Sequence, residues 1–376
     1  MPNSHPNGLH LNITILTRGL TNVMGGMERQ LLSIASGFIE RGNNVTVISL
    51  DHFAAKPFFE SNPQIKFIGL SIGDSSVKAT FKERVLRQAK VFNLLGELKT
   101  DVAITFMTGS FWFSVLPAKL RRVPVILAER NGPSIYIRTK VRRIRHLIFA
   151  SMGLASTITV QFESYRKGYP SFLQRKMFVI PNKIPTFEPI TKNINDQFVY
   201  LFAGRLSNQK QIVELVIAFI EFHRKYKDTR LEIYGEGEEE AKIRNLISLH
   251  SATSFVHLYP ATKEINKVFS NADAMMAPSL WEGFPNSVAE ALAAGLPVGG
   301  FFDCEGIRDL ISPGSNGWLT HRSDPVGSQV QLLTEIYASR DKLQKYGEEA
   351  SKSVNQYQGE EPNDKWDYLV KKLLSN

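Results

Sequence analysis

The sequence predicts an α/β fold made of two parallel-sheet, Rossmann-like domains in series, and three observations carry that reading. Short β-branched apolar runs alternate with longer stretches of helical period from one end to the other, the pattern of parallel strands joined by crossover helices. The alternation breaks once, at Pro181-Asn182-Lys183-Ile184-Pro185-Thr186-Phe187-Glu188-Pro189, where three prolines and no periodicity suit an interdomain connection. A chain of 376 residues with 43% apolar composition is also long enough to bury two cores.

Taken in order, the first half reads as strands at 13–16, 45–50, 102–105, 125–127 and 157–160, with helices near 27–41, 80–98 and 137–154. After the proline-rich stretch a second series begins, with strands at 198–202, 231–234, 255–258, 274–277 and 297–299 and helices between them. The expected boundaries are residues 1–184 for the first Rossmann-like domain and 185–362 for the second. An amphipathic helix, 363–376, is expected to pack back towards the first domain.

Composition narrows the class. No run of 18 apolar residues is present, and the start, MPNSHPNGLHLNITIL, has no charged region followed by a free apolar stretch and a cleavage site. A single cysteine, Cys304, excludes an internal disulfide framework. The expectation is a cytoplasmic protein. Eight histidines show no metal-ligand spacing. Residues 1–190 carry 25 Lys and Arg against 11 Asp and Glu, and the remainder 20 against 25. The basic charge is densest between Lys119 and Lys167, and the segment 138–154 adds Ile144, Leu147, Ile148, Phe149, Met152 and Leu154 to it. Basic and bulky apolar residues together suit docking on an anionic leaflet, the inner face of the plasma membrane; the alternative is that the apolar residues form the helix's core face. No nucleic-acid module can be placed.

Two Rossmann-like domains joined by a hinge bind ligands at the carboxyl ends of their strands, and the candidate residues follow strands. Gly25 and Gly26 open a helix after the first strand, where glycine lets backbone N–H groups approach a phosphate. Arg205 and Lys210 flank the loop after the strand at 198; a planar fork and a compact point charge can neutralise a diphosphate. The segment Trp281-Glu282-Gly283-Phe284-Pro285-Asn286-Ser287-Val288-Ala289-Glu290 then sets two carboxylates eight positions apart, one in a loop and one about a turn into an Ala-rich helix. Glu290 suits the vicinal hydroxyls of a ribose, and Glu282 those of a sugar.

The ordered set Gly25-Gly26-Met27-Glu28-Arg29, Gly204-Arg205-Leu206 with Lys210, Tyr234-Gly235-Glu236-Gly237, Pro278 through Glu290-Ala291, Gly295-Leu296-Pro297-Val298 and Asn316-Gly317-Trp318-Leu319 resembles the retaining glycosyltransferases of family four, which have the GT-B fold of two Rossmann-like domains facing each other across a deep cleft. The resemblance implies that Glu290 holds the nucleotide ribose, Arg205 and Lys210 the diphosphate, and Glu282 the donor sugar. It also implies that Gly235, Gly283, Phe284 and the backbone of Pro285, Asn286 and Ser287 line the donor, and that Gly25 and Gly26 face the reaction centre. The family usually has glycine where this chain has Gln211, and Asn-Gly where it has Asn182-Lys183. Some relatives place a histidine near the donor sugar at the segment Ala128-Glu129-Arg130-Asn131; here Glu129, Arg130 and Asn131 are the candidates.

No D-x-D sequence occurs, so neutralisation is expected from cations and helix N-termini, without metal or cofactor. The implied reaction moves a hexose, from UDP by expectation, to a polysaccharide or lipid-linked glycan with retention of configuration. A sugar-nucleotide epimerase or hydrolase, or a non-catalytic nucleotide-sugar-binding scaffold, are the alternatives.

Overall fold

The structure is a computed structural model that describes residues 10–20, 26–52, 57, 59–73, 79–187 and 196–375. The chain divides into two compact units, residues 1–183 with 360–376 and residues 184–359. Each is a doubly wound α/β domain built on one parallel sheet.

In the first unit the strands are β1 (Asn12–Leu16), β2 (Asn44–Ser49), β3 (Lys66–Gly69), β4 (Val102–Phe106), β5 (Val125–Ala128), β6 (Thr157–Val160) and β7 (Met177–Val179), in the order β3-β2-β1-β4-β5-β6-β7. All neighbours run parallel, with Ile13 beside both Val45 and Val102. β1, β4, β5 and β6 are buried along almost their whole length, as sheets covered on both faces require. The strand order reverses between β1 and β4, so the ligand edge lies beyond their carboxyl ends. There Met107 turns the chain from β4 into the helix Met107–Leu120 with a φ of 64°, strained backbone of the kind kept at functional edges.

Helix starts are legible where caps exist. Helix Phe81–Glu97 follows Thr80, whose Oγ1 accepts from the Glu83 N–H at 3.3 Å while the Glu83 carboxylate accepts from the Thr80 N–H at 2.7 Å, a reciprocal capping box. The expected helix 137–154 is instead broken into a turn at Ile135–Arg138, a 3-10 segment at Lys140–Ile144 and the helix Arg145–Met152. The break falls at Thr139, whose extended backbone and Oγ1 bond to the Ile135 carbonyl close the first turn. Ile148, Phe149 and Met152 are buried, whereas Ile144, Leu147 and Leu154 remain exposed.

The last helix, Glu361–Leu374, belongs to this unit. Trp366, Leu369 and Val370 join the core formed by β1, β4 and helix Gly26–Glu40, and Gly37 leaves room for Asn363, whose Cγ would sit 2.7 Å from a Cβ at that position.

The second unit carries β8 (Phe198–Ala203), β9 (Thr229–Tyr234), β10 (Val256–Tyr259), β11 (Ala274–Ala277), β12 (Val298–Phe301) and β13 (Gly317–Thr320), ordered β10-β9-β8-β11-β12-β13 and parallel throughout. Its core centres on Tyr200, Phe202, Phe219 and Phe222 under helix Ile212–His223. The strand order again reverses between its first and fourth strands, β8 and β11, and the loops leaving these two strands meet at one ligand edge. β3, β7 and β13 were not among the strands expected from the sequence.

Candidate active site

The loop after β8 runs over the loop after β9 with no room for side chains. The Gly204 and Leu206 N–H groups donate to the Tyr234 and Glu236 carbonyls at 3.0 and 2.8 Å, and the Glu239 N–H returns to Leu206 at 3.0 Å. A Cβ at Gly235 would lie 1.9 Å from the Gly204 carbonyl oxygen, and one at Gly237, whose φ is +156°, would lie 2.3 Å from that of Leu206. Both glycines are therefore the condition for the crossing. It holds Arg205 exposed at the ligand edge, with Lys210 half-buried after a 3-10 turn, Asn208–Lys210.

Gln211 then takes a left-handed conformation, φ 50° and ψ 37°, before helix Ile212–His223 begins. That is the backbone glycine would adopt, so the helix enters as it would with the residue usual in the family. The Gln211 amide closes on the Asn208 carbonyl at 3.1 Å, which helps offset a left-handed penalty of about 1–2 kcal/mol.

The loop after β11 is stitched to this one. The Leu280 N–H donates to the Gln209 carbonyl at 2.9 Å, and the Gln209 side chain to the Trp281 carbonyl at 2.6 Å. Next in line, Lys210 Nζ meets Glu282 Oε1 at 2.6 Å, with the two side chains 19% and 10% exposed. Lys210, Ser279, Glu282 and Ser287 line one small pocket. Helix Asn286–Ala293 follows, preceded by Pro285, with Glu290 buried at its fifth position. Its first N–H groups, from Asn286 and Ser287, have no carbonyl inside the helix to bond and point towards the loop. Gly283 is half-exposed within that loop. Phe284 turns inward, edge-on to the Tyr357 ring at 5.2 Å, which makes it part of the packing beneath the loop. Cys304 is fully buried; burial, and then the charge of Glu282, push its thiol well above the ordinary range, so it stays protonated.

Arg322 was not singled out in the sequence. It donates through Nη2 to the Pro278 and Ser279 carbonyls, both at 3.0 Å, and through Nε to Asp303 at 3.3–3.4 Å. Its position beyond β13, a strand whose ends are glycine and threonine, gave no signal.

In the first unit Gly26 begins helix Gly26–Glu40, and Gly25 lies outside the described residues. Glu129 is fully buried after β5 and accepts from the Arg130 and Asn131 N–H groups at 2.9 Å, the Asn131 amide at 3.1 Å and the Tyr136 hydroxyl. Burial raises its pKa against those bonds. Arg130 donates to the Thr159 hydroxyl, the Ile180 carbonyl and the Asn182 side chain at 3.2–3.4 Å and lies over the Phe106 and Trp366 rings. Burial lowers its pKa to about 10, which leaves it charged. Both residues thus brace the strand end. Among the described residues no group of three His, Cys, Asp or Glu is placed to hold a metal ion.

Residues 184–353 match the family model for glycosyl transferases group 1. The chain carries a group 1 glycosyltransferase domain. An uncharacterized glycosyltransferase of Haemophilus influenzae is 26% identical to the chain over 303 residues, which cover 80% of this chain and 83% of that one. The alpha-monoglucosyldiacylglycerol synthase of Acholeplasma laidlawii is 24% identical over 353 residues, 84% and 86% of the two chains. Anabaena HepE, solved with UDP and glucose, superposes with a TM-score of 0.77 at 17% identity, covering 98% of this chain and 100% of its own. The chain has the GT-B fold.

Gly235→Ala forces the two loops of this glycosyltransferase domain apart, and the expected cost is about 1–3 kcal/mol, the usual range for overpacking. Urea unfolding followed by fluorescence measures it, and an unchanged midpoint would contradict the close crossing.

Proposed function

We propose that this glycosyltransferase moves a hexose from a nucleoside-diphosphate sugar, UDP-hexose, to a surface polysaccharide or lipid-linked glycan, with retention of configuration and without a metal. The observation that carries the reading is the largely buried Lys210–Glu282 pair at the point where the second sheet reverses its order, with Glu290 buried about a turn into the helix that follows. In the donor-bound state Lys210 and Arg205 neutralise the diphosphate as it leaves, and the first N–H groups of helix Asn286–Ala293 add their partial charge. Glu290 accepts from the ribose hydroxyls and Glu282 from the hexose. Stabilising the leaving group carries the reaction. The acceptor attacks the face the nucleotide vacates. The UDP and glucose bound by HepE support the donor class.

Arg205→Ala and Lys210→Ala are each expected to lower turnover about 10²-fold, as loss of one preorganised donor does. Glu290→Ala is expected to raise KM for the donor with a smaller effect on kcat. The assay is UDP release with and without acceptor glycan, with EDTA in a parallel series. Release that is independent of acceptor would favour the hydrolase or epimerase alternative, and loss of rate in EDTA would end the metal-free reading.

A lipid-linked acceptor is supported by the first unit's surface. Helix Met107–Leu120 exposes Trp112, Leu116 and Leu120 at one-turn spacing, 49%, 53% and 67% exposed, beside Lys119, and the segment around Ile144 and Leu147 exposes Arg142 and Arg143. Sedimentation with phosphatidylglycerol vesicles, lost in high salt and reduced by Trp112→Ala with Leu116→Ala and Leu120→Ala, is the expected result. Failure of the unmutated protein to sediment would remove membrane docking from the account.

A further inference from the structure

Three adjacent strands of the second unit end around one guanidinium. Pro278 and Ser279 follow β11, Asp303 follows β12 and Arg322 follows β13. Arg322 joins all three, through both carbonyls at 3.0 Å and through Asp303 at 3.3–3.4 Å. Its plane lies over Phe301, 4.0 Å from the ring centroid, and the side chain is 9% exposed. A buried guanidinium is costly unless it is paired and hydrogen-bonded, so the fork stays where those acceptors stay. Among the described residues Nη1 has no hydrogen-bond partner, which leaves the carbonyl bonds and the Asp303 pair to fix the group.

The two carbonyls belong to consecutive residues and meet the same nitrogen. In a strand, consecutive carbonyls point to opposite sides, so this contact defines where β11 stops and the direction in which the chain leaves it. Glu282 lies three residues beyond. The nucleotide half of the proposed site is held from elsewhere: Arg205 and Lys210 follow β8, and Glu290 sits on helix Asn286–Ala293, which packs on helices Leu343–Ser353 and Glu305–Leu310.

The geometry points to Arg322 as a positioning residue for Glu282, and so to a role in recognising the hexose half of the donor. This rests on the reading of Glu282 given under the proposed function. Lysine keeps the charge at 322 but has no planar fork to span two carbonyls and a carboxylate while stacking on a ring. Asp303→Asn leaves both carbonyl bonds in place and weakens only the restraint on the guanidinium.

The test titrates UDP, UDP-glucose and UDP-N-acetylglucosamine into the full chain and into Arg322→Lys, Arg322→Ala and Asp303→Asn, with kcat and KM from the UDP-release assay. UDP affinity is expected to stay within about threefold in all four proteins. In Arg322→Ala the advantage of the bound UDP-hexose over UDP is expected to fall about tenfold or more and kcat about 10–100-fold. Arg322→Lys should recover part of both, and Asp303→Asn should lose less than either. Should Arg322→Ala not fold, the lysine variant carries the same comparison. Equal losses for UDP and UDP-hexose, or unchanged kcat and hexose preference, would overturn the assignment. Absence of binding by the unmutated protein would instead overturn the donor reading itself, and this inference with it.

Discussion

A carboxylate and an ammonium taken largely out of water at one loop junction must find each other, and the second unit is organised around that requirement. Lys210 and Glu282 come from loops 72 residues apart in sequence, and their pairing gives each a partner where neither is well hydrated. The two charges thus compensate each other. Under the proposed function, a diphosphate beside Lys210 offers more negative charge than one carboxylate, and a hexose offers Glu282 hydroxyl donors in return. In the proposed reaction the pair is exchanged rather than broken, which keeps the desolvation cost of opening it small.

The surrounding structure exists to bring those two loops into register. Gly235 and Gly237 let the β9 loop pass against the β8 loop. Gln209 ties the β8 loop to the β11 loop by two hydrogen bonds immediately before the ion pair. Gln211 starts the following helix from a left-handed backbone, so a chain without glycine at that place still delivers Lys210 to the same edge. Arg322 fixes the root of the β11 loop. These are backbone-level restraints, which suits a site whose function depends on where charges stand.

What the sequence disclosed and what it hid follow one physical division. Strands buried on both faces, such as β8 and β11, are continuous apolar runs and were readable, as was the helix-borne Glu290 among its alanines. Three short strands were not. β3 is a four-residue edge strand that is mostly half-exposed and β7 has three residues; β13 is buried, but it opens on Gly317 and closes on Thr320, which leaves no continuous apolar run. The run Phe111-Trp112-Phe113 conceals its geometry because Phe111 and Phe113 are buried and Trp112 is not, a distinction that only the helix phase supplies. Glu129 and Arg130 looked available because charge after a strand suggests a ligand. Glu129 is bonded locally, by Arg130, Asn131 and Tyr136, whereas Arg130 reaches Asn182 and Trp366, and sequence proximity does not reveal such contacts. The same long range hid Arg322 and the pairing of Lys210 with Glu282.

The most direct test of the central claim is calorimetric titration of UDP into the unmutated protein, Lys210→Ala and Glu282→Gln. The account predicts that removing the lysine weakens UDP binding about 10–100-fold, as losing a charge-assisted contact of about 1.5–3 kcal/mol does. Neutralising the glutamate, by contrast, leaves UDP binding equal to or tighter than that of the unmutated protein, since Lys210 no longer has to leave a partner. Parallel losses in the two variants, or no change in either, would contradict it.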